Sequence, residues 1–277
     1  MHDLWLHEKN TEGYGVKWRI TGILHTEQTN YQDLAVVDTL EWGKALLLDG
    51  AVQITEKDEF IYHEMISHIV MNAHPHPERA LIIGGGDGGV LREICRHRRL
   101  QSVDMVEIDG RVVENSKRFF PAVASAFTDP RVNLYVEDGL EFVKHTRERY
   151  DVVIVDSCDP VGPAVELFSE GFYRDVFAIM KDDGMAVVQS ESPIFYQPTF
   201  VATHKHLSAV FPLVRVYLAP VPTYVSGPWS FTVGSKRHDP AQPVENHEDF
   251  TDLKYYDGEI HTGAFALPRF IRELLSV

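Results

Sequence analysis

The sequence has few cysteines and few basic residues, and both shortages limit what the protein can be. Its two cysteines, Cys95 and Cys158, are too few for a disulfide framework or a cysteine-based zinc site, so a reducing compartment fits. Lys and Arg total 26 against 41 Asp and Glu, which gives a net charge of −15 at pH 7. A field of this sign repels phosphate backbones and attracts cations. We therefore expect no nucleic-acid partner, and a cationic ligand if the acids cluster.

Long apolar runs are also missing. No segment approaches the roughly 18 apolar residues of a membrane span, and residues 1–5 lack the basic run and apolar stretch of a signal peptide. We therefore predict a cytoplasmic protein with no membrane partner. Hydrophobic residues still make up 44% of the 277 residues, enough for the cores of one or two domains.

Two sequence patterns meet near residue 57. Up to about Thr55, short β-branched or aromatic segments separated by glycines predict antiparallel hairpins, which we assign to an N-terminal β domain, residues 1–57. Asp58 to His74 then predicts an amphipathic helix that ends at Pro75.

Residues 58–277 are expected to form an α/β domain, because strand runs alternate with helical stretches as in a doubly wound parallel sheet. The predicted parallel strands are 80–83, 103–108, 132–136, 152–155 and 185–189. The predicted helices between them are 90–97, 111–120, 140–147 and 170–180, and a last helix lies near 268–275. The strands 213–218 and 229–234 predict an antiparallel pair at the sheet edge.

A glycine-rich turn follows the first predicted parallel strand. Gly84, Gly86 and Gly89 match the G-x-G-x-x-G nucleotide loop between a strand and a helix, the context that the motif requires. Glu107 ends the next strand, where an acid commonly binds ribose hydroxyls. Asp87 lies inside the loop and would repel the pyrophosphate of a dinucleotide. The loop therefore favours a positively charged nucleoside such as an S-adenosylmethionine derivative, and leans toward its decarboxylated form.

Further acids follow the third and fourth strands. Asp138 and Gly139 are placed to bind an adenine ring, and capping of the next helix by Asp138 is an equally good interpretation. Asp156 and Asp159 stand three apart in a Pro- and Gly-rich loop and would join Asp87 in one acidic cluster. A di- or polyamine would supply the cation that such a cluster needs, with internal ion pairs as the alternative. Three side chains could wall this cluster: Tyr62, His63 and Tyr224.

The histidine pairs give little reason to expect a metal. His74-x-His76 and His204-x-His206 lack further ligands at zinc spacing. We therefore predict no metal site.

In order and spacing, these motifs resemble those of the spermidine synthases, a family of polyamine aminopropyltransferases. The resemblance covers nearly the whole chain. Its segments are Tyr31-Gln32, Leu48-Asp49-Gly50, Glu59 to Glu64, Ile82 to Glu93, Glu107-Ile108-Asp109, Asp138-Gly139, Asp156 to Pro163, Pro222-Thr223-Tyr224 and Tyr255 to Phe270. Two positions depart from the family pattern: Cys158 stands where Ser or Thr is common, and Val225 stands where Pro is usual.

The resemblance implies a methyltransferase-like (Rossmann-like), mostly parallel seven-stranded sheet behind a small N-terminal antiparallel β domain, assembled as a homodimer or homotetramer. It implies transfer of the aminopropyl group of decarboxylated S-adenosylmethionine to putrescine, giving spermidine and methylthioadenosine. The nucleoside is then a co-substrate, and no tightly bound cofactor is expected.

The resemblance also implies roles for individual residues. Asp156 would accept the proton of the attacking amine. The amine-binding residues would be Tyr62, His63, Asp87, Asp159 and Tyr224. The nucleoside-binding residues would be Gln32, Glu107, Asp138, Gly139 and Pro163, together with Gly84 and Gly86 of the glycine loop. Neighbouring acids would raise the pKa of Asp156 and bound cations would lower it, so its direction stays open.

Other functions fit the same residues. A putrescine N-methyltransferase would use the same scaffold, and an aminopropyltransferase could take agmatine or cadaverine instead, since one methylene changes discrimination by only about 1 to 3 kcal/mol. A non-catalytic polyamine-binding regulator is the alternative outside enzymes, and a dehydrogenase is the most distant. Release of methylthioadenosine separates the aminopropyltransferases from the methyltransferase, the regulator and the dehydrogenase.

Overall fold

Two β-sheets joined by one helix organise the protein in a computed structural model. The structure describes residues 3–158, 162–224, 227–245, 248 and 250–276, and of Gly162 and Pro163 it describes the backbone alone. Asp159 and Val225, both singled out in the sequence, lie outside the described residues.

The N-terminal sheet has five antiparallel strands in sequential order, which confirms the predicted hairpins. They are β1 (Leu4–Lys9), β2 (Gly15–Gln28), β3 (Asp33–Thr39), β4 (Gly43–Leu48) and β5 (Ala51–Thr55). On one face of this sheet, Leu34, Leu46 and Ile54 pack against Val112 and Phe120, which lie between two strands of the second sheet in the sequence. The first sheet is therefore fixed against the second by a shared apolar core.

The first helix, α1 (Glu59–Ala73), ends at His74 before Pro75, as predicted. The prediction that it is amphipathic is wrong, because every residue from Ile61 to Ala73 is buried. The helix packs against the second sheet and against α2 (Gly89–Ile94), so polar side chains such as His63 and Glu64 are buried with the apolar ones. A helix enclosed in this way brings charged groups into the interior, where they need partners.

The second sheet has seven strands in the order β11-β12-β10-β9-β6-β7-β8. Five of them, β6 to β10, pair in parallel, and β12 runs antiparallel to both β10 and β11. The mostly parallel sheet with an antiparallel edge pair is thus confirmed. The strands are β6 (Arg79–Gly84), β7 (Ser102–Val106), β8 (Val132–Tyr135), β9 (Tyr150–Asp156), β10 (Met180–Gln189), β11 (Leu213–Ala219) and β12 (Trp229–Ser235).

Helices cover both faces of this sheet. The predicted ones are α2, α3 (Gly110–Phe119), α4 (Gly139–His145), α5 (Glu170–Ile179) and α8 (Arg269–Leu275). Two others were not predicted, α6 (Gln197–Ser208) and α7 (Gly258–Ala264). The apolar stripe of α6 is weak, because only Phe200, Thr203 and Leu207 are buried and one of these three is polar.

Alternate residues of the parallel strands enter separate cores. Ile82 and Ile154 face α1, whereas Leu81, Val153 and Val155 face α5. The chain leaves β6 toward β7 and β8 on one side and returns to β9 and β10 on the other. The adjacent carboxyl ends of β6 and β9 therefore form the topological switch point, where ligands bind in open α/β sheets. Among the described helices, none has the length and apolarity to cross a membrane.

Candidate active site

The glycine loop and the Asp156 loop meet at the switch point because β6 and β9 are neighbours. Gly84 pairs with Asp156 in the sheet, and the amide of Gly85 donates to the Asp156 carbonyl at 2.9 Å. Gly84 has a φ of +83°, and a Cβ there would lie 2.1 Å from that carbonyl oxygen. This position requires glycine both for its backbone conformation and for the close approach of the two loops.

Asp156, an acid of the predicted cluster, has a defined hydrogen bond. The Tyr62 hydroxyl donates to its Oδ1 at 2.5 Å. Burial raises the pKa of Asp156 to about 6, and the negative charge of Asp87 adds to the rise, whereas His63 and the Tyr62 hydrogen bond oppose it. The sequence left open whether the pKa of Asp156 is raised or lowered, and in this structure it is raised. The carboxylate is therefore a stronger base than an ordinary Asp.

Asp87 and His63 form an ion pair beside Asp156. His63 Nε2 lies 3.2 Å from Asp87 Oδ1, and the amide of Gly89 donates to the same oxygen at 2.6 Å. Ligand atoms of His63, Asp87 and Asp156 all lie within 4.8 Å of one another, a spacing that a metal ion could use. His63 Nδ1, however, lies 2.6 Å from Glu59, so both ring nitrogens face carboxylates. A ring that donates from both nitrogens has no lone pair for a metal.

A second group with metal-ligand spacing lies outside this site. It comprises His74, Asp151 and Asp183. The amide of His76 donates to His74 Nδ1 at 3.1 Å, so the proton of the neutral ring is on Nε2, which faces Asp183 at 3.6 Å. Burial lowers the pKa of His74, consistent with the neutral ring. Neither group presents a free imidazole lone pair, and the absence of a metal stays a prediction.

Aromatic side chains wall the same region. Tyr62 contacts Tyr224 and Phe231 edge-on or tilted, with ring centroids 5.7 and 5.3 Å apart. The Tyr224 hydroxyl donates to the Gln53 carbonyl at 2.7 Å, which ties this wall to the N-terminal sheet. The preceding Thr223 donates from its amide and its hydroxyl to buried Asp58, at 2.9 and 2.7 Å.

The nucleoside half of the predicted site lies on the other side of the glycine loop. Glu107 Oε2 accepts from the amide of Gly86 at 3.1 Å, and its Oε1 accepts from the amide of Asp109 at 2.9 Å. Burial raises the pKa of Glu107 to about 7 against the effect of these two hydrogen bonds. Gln32 donates to the carboxylate of Asp109 at 3.0 Å, which orients its side chain.

Asp138 is the N-cap of α4, since its side chain accepts from the amide of Leu140 at 2.8 Å. It also lines the cavity described below. The two interpretations that the sequence left open, capping and ligand contact, are thus compatible in this structure.

One cavity of about 800 Å³ connects these groups. Its walls include nearly all of the predicted site residues: Gln32, Tyr62, His63, Gly84, Gly86, Asp87, Glu107, Asp138, Gly139, Asp156 and Tyr224. Asp159 and the side chain of Pro163 lie outside the described residues. The cavity has an acidic, aromatic end at Asp156 and a second end at Glu107, joined along the glycine loop.

Sequence reasoning missed several cavity residues that come from the N-terminal sheet, from the end of β10 and the segment after it, and from β12. They include Gln53, Gln189, Glu191, Tyr196 and Trp229. Glu191 is fully buried and has a φ of +66°, a costly backbone conformation for a residue with a side chain. It follows the carboxyl end of β10, so the rule that identified Asp156 after β9 could have identified it too.

Comparison with known proteins agrees with this geometry. Residues 59–245 match the spermine/spermidine synthase domain, and residues 4–56 match the spermidine synthase tetramerisation domain. A polyamine aminopropyltransferase of Bacillus cereus is 46% identical over 273 residues, which cover 99% of each chain. The chain belongs to the spermine/spermidine synthase family. The polyamine aminopropyltransferase of Bacillus subtilis is 44% identical over 275 residues, 99% of this chain and all of that one.

Solved structures of this family have the same fold. A spermidine synthase in complex with the transition-state analogue AdoDATO superposes with a TM-score of 0.94 and 36% identity, over 99% of this chain and 95% of that one. The spermidine synthase of Thermotoga maritima superposes with a TM-score of 0.91 and 35% identity, over 99% of this chain and 94% of that one. The family resemblance and the methyltransferase-like fold are confirmed. As a member of this family, the protein is an aminopropyltransferase in polyamine biosynthesis.

Proposed function

We propose that this aminopropyltransferase uses putrescine as its acceptor and releases spermidine and methylthioadenosine. The observation that carries the proposal is the position of Asp156, a half-buried carboxylate between the aromatic amine end of the cavity and the glycine loop. An amine that lies against Asp156 faces the loop, along which the aminopropyl arm of the nucleoside would extend.

The co-substrate is decarboxylated S-adenosylmethionine. Glu107 would accept from the ribose hydroxyls, and Asp138 with Gly139 would contact the adenine. The sulfonium and the ammonium of this nucleoside suit a site that contains Asp87 and Asp156, whereas the carboxylate of intact S-adenosylmethionine would be repelled there. This charge argument favours aminopropyl transfer over methyl transfer.

The reaction forms one C–N bond and breaks one C–S bond. The neutral amine nitrogen attacks the methylene carbon next to the sulfonium, and sulfur leaves as the thioether of methylthioadenosine. Holding nitrogen, carbon and sulfur in line converts the encounter into an effectively unimolecular step.

The amine must first lose a proton. An alkylammonium has a pKa of about 10, so deprotonation in solution near pH 7 costs about 4 kcal/mol. Transfer to an ordinary Asp is uphill by about 8 kcal/mol, and the pKa of Asp156, raised to about 6, reduces this by about 3 kcal/mol. Asp156 is thus the proposed proton acceptor, and the distal ammonium of putrescine is proposed to lie against Asp87 and the aromatic wall.

Three further expectations remain proposals: the division into domains, the oligomeric state and the cellular location. Residues 1–57 are proposed as an oligomerisation domain that also contributes Gln32 and Gln53 to the cavity, and residues 58–277 as the catalytic domain. A homodimer or homotetramer is proposed from the tetramerisation domain that residues 4–56 match. The cytoplasmic location stays a prediction.

Acceptor choice is tested by measuring methylthioadenosine release with putrescine, cadaverine, agmatine and spermidine separately, each over a range of concentrations. We expect the highest kcat/KM with putrescine. S-adenosylmethionine in place of the decarboxylated form provides the control for methyl transfer. A higher kcat/KM with another amine would contradict the acceptor, and methylated putrescine without methylthioadenosine would contradict the reaction.

A further inference from the structure

The acidic end of the cavity contains a built-in cation. His63 has only 1% of its side chain exposed, and its two ring nitrogens lie 2.6 Å from Glu59 and 3.2 Å from Asp87. Carboxylates accept hydrogen bonds and do not donate when ionised, so each nitrogen must carry a proton. The ring is therefore an imidazolium, and it cannot accept a hydrogen bond from an ammonium group.

Glu59 is itself held by a guanidinium. Arg92 donates from both terminal nitrogens to the two Glu59 oxygens, at 3.0 and 2.8 Å, and from Nε to Glu93 at 2.7 Å. A bidentate pair of this kind fixes the plane of the carboxylate. Glu59 is 9% exposed and Arg92 is 18% exposed, so solvent screens the contact little.

Packing fixes the ring as well. A Cβ on Gly89 would lie 2.2 Å from the His63 ring, so the ring lies directly on the backbone of the first turn of α2. Arg92 belongs to the same helix, α2, and Glu59 and His63 are one turn apart on α1. Two helices thus hold the chain of contacts Arg92–Glu59–His63–Asp87 in place.

We propose that Glu59, fixed by Arg92, is a positioning residue that keeps His63 doubly protonated and so holds a permanent positive charge beside Asp87 and the proton acceptor Asp156. The proposal rests on the proposed proton-acceptor role of Asp156. In it, His63 does not bind the amine directly, as the family resemblance implied, but sets the charge of the carboxylates that do.

The charged and titratable groups around His63 determine in which direction the pKa values of His63 and Asp156 change. Glu59, Asp87 and Asp156 face His63 from α1, the glycine loop and β9. Tyr62 and Asp87 act on Asp156 together with His63, and Glu107 interacts with Asp156 at longer range. Burial lowers the pKa of His63, but Asp87 and Glu59 outweigh it and raise the pKa to about 10. Loss of the Glu59 charge would lower the pKa of His63 again.

The consequence is a shift in the pH dependence of turnover. In Glu59→Gln the ring loses charge near neutral pH, Asp156 loses a nearby cation and its pKa rises. In a plot of kcat/KM for the amine against pH, the acidic limb therefore moves to higher pH by about 1 unit. At pH values on this limb, kcat/KM is about tenfold lower than in the wild type. Because the amine titrates identically with every variant, a difference in the limb belongs to the enzyme.

Three variants make the test specific. Glu64→Gln is the matched control, since Glu64 is a buried carboxylate on α1 that accepts from the backbone amides of Lys254, Tyr255 and Tyr256, away from the cavity. His63→Gln removes the cation directly and should reproduce the shift of Glu59→Gln. The double variant should show no further shift, because both changes remove the same charge.

A second measurement does not depend on activity. Nitrogen-15 NMR of histidine-labelled protein, with His63→Gln to assign the signals, should show both His63 nitrogens protonated from pH 6 to 9 in the wild type. In Glu59→Gln one nitrogen should titrate within that range. If no amine is aminopropylated, the proposed function fails while this NMR result still stands or falls by itself.

The proposal is supported when Glu59→Gln and His63→Gln shift the limb equally and Glu64→Gln does not. It is overturned when the limb stays in place in His63→Gln, or when the His63 ring of the wild type is neutral. Should Glu59→Gln fail to fold, the His63→Gln profile and the wild-type spectrum decide the matter without it.

Discussion

Asp156 combines a proposed catalytic role with a cost to stability. Its pKa, raised to about 6 by burial first and by Asp87 second, means that folding disfavours its ionised form. The contribution of Asp156 to the free energy of unfolding is therefore largest at low pH. It decreases by up to about 3 kcal/mol as the pH rises from about 4 to above 6.

Asp156→Asn should abolish turnover, with kcat reduced by a factor of about 10² to 10⁴, because Asn cannot take the proton. Asn can still accept from Tyr62, so methylthioadenosine should bind as in the wild type. The free energy of unfolding at pH 8, measured in urea, should increase by up to about 3 kcal/mol, and the gain should shrink toward pH 4. Normal turnover in this variant would remove Asp156 from the mechanism.

Glu107 should make nucleoside binding depend on pH. Burial raises its pKa to about 7, and the ionised carboxylate accepts hydrogen bonds from ribose hydroxyls more strongly than the protonated carboxyl, one oxygen of which is itself a donor. The affinity for methylthioadenosine should therefore increase with pH through about 7, by at most about tenfold per unit below the pKa. Calorimetric titrations at pH 6 and pH 8 measure this.

Glu107→Gln is the control for that dependence, since Gln has no charge to lose. It should bind methylthioadenosine more weakly, with an affinity that no longer changes between the two pH values. A wild-type affinity that is equal at pH 6 and pH 8 would contradict the role of Glu107.

At the scale of elements, the contact between β6 and β9 determines the geometry of the site. Gly84→Ala would place a methyl group 2.1 Å from the Asp156 carbonyl at a φ of +83°. We expect a loss of about 2 to 4 kcal/mol in the free energy of unfolding, together with loss of activity. Gly22→Ala in β2, where a Cβ meets nothing within 4 Å, should change stability by less than about 1 kcal/mol. Equal effects of the two substitutions would contradict the assigned close approach.

The elements differ in how far the sequence predicted them. The parallel strands could be predicted because Val152 to Val155 and similar runs are apolar on both faces, and the site followed because polar residues come after them. The first helix and its end could also be predicted, but its complete burial could not, because the partners of its buried polar residues His63, Glu64 and His68 come largely from other elements. For the same reason, the sequence does not predict the contacts of Glu59 to His63 and Arg92.

At the scale of the whole molecule, the N-terminal sheet exposes apolar side chains. Leu4, Trp5, Ile23 and Leu24 are 51%, 55%, 63% and 43% exposed, all on β1 and β2. Exposed apolar side chains on a segment that matches a tetramerisation domain favour burial in an oligomer. The sequence pattern predicted the strands but not this exposure, because alternation alone does not say which face a partner covers.

Ile23→Asp should weaken the oligomer, since it places a charge in the proposed interface, while the exposed position leaves the fold of each subunit intact. Light scattering after size-exclusion chromatography should give a smaller mass than for the wild type. Val136→Asp, at a 59% exposed residue after β8, is the control and should not change the mass. A wild-type mass of 31.5 kDa, or no change in Ile23→Asp, would contradict the assignment.

The most direct test of the whole account is mass spectrometry of the products formed from decarboxylated S-adenosylmethionine and an equimolar mixture of putrescine, cadaverine, agmatine and spermidine. Wild-type protein should give spermidine as the main amine product, with an equal amount of methylthioadenosine, and Asp156→Asn should give neither. Folded wild-type protein that forms no aminopropylated amine would contradict the account.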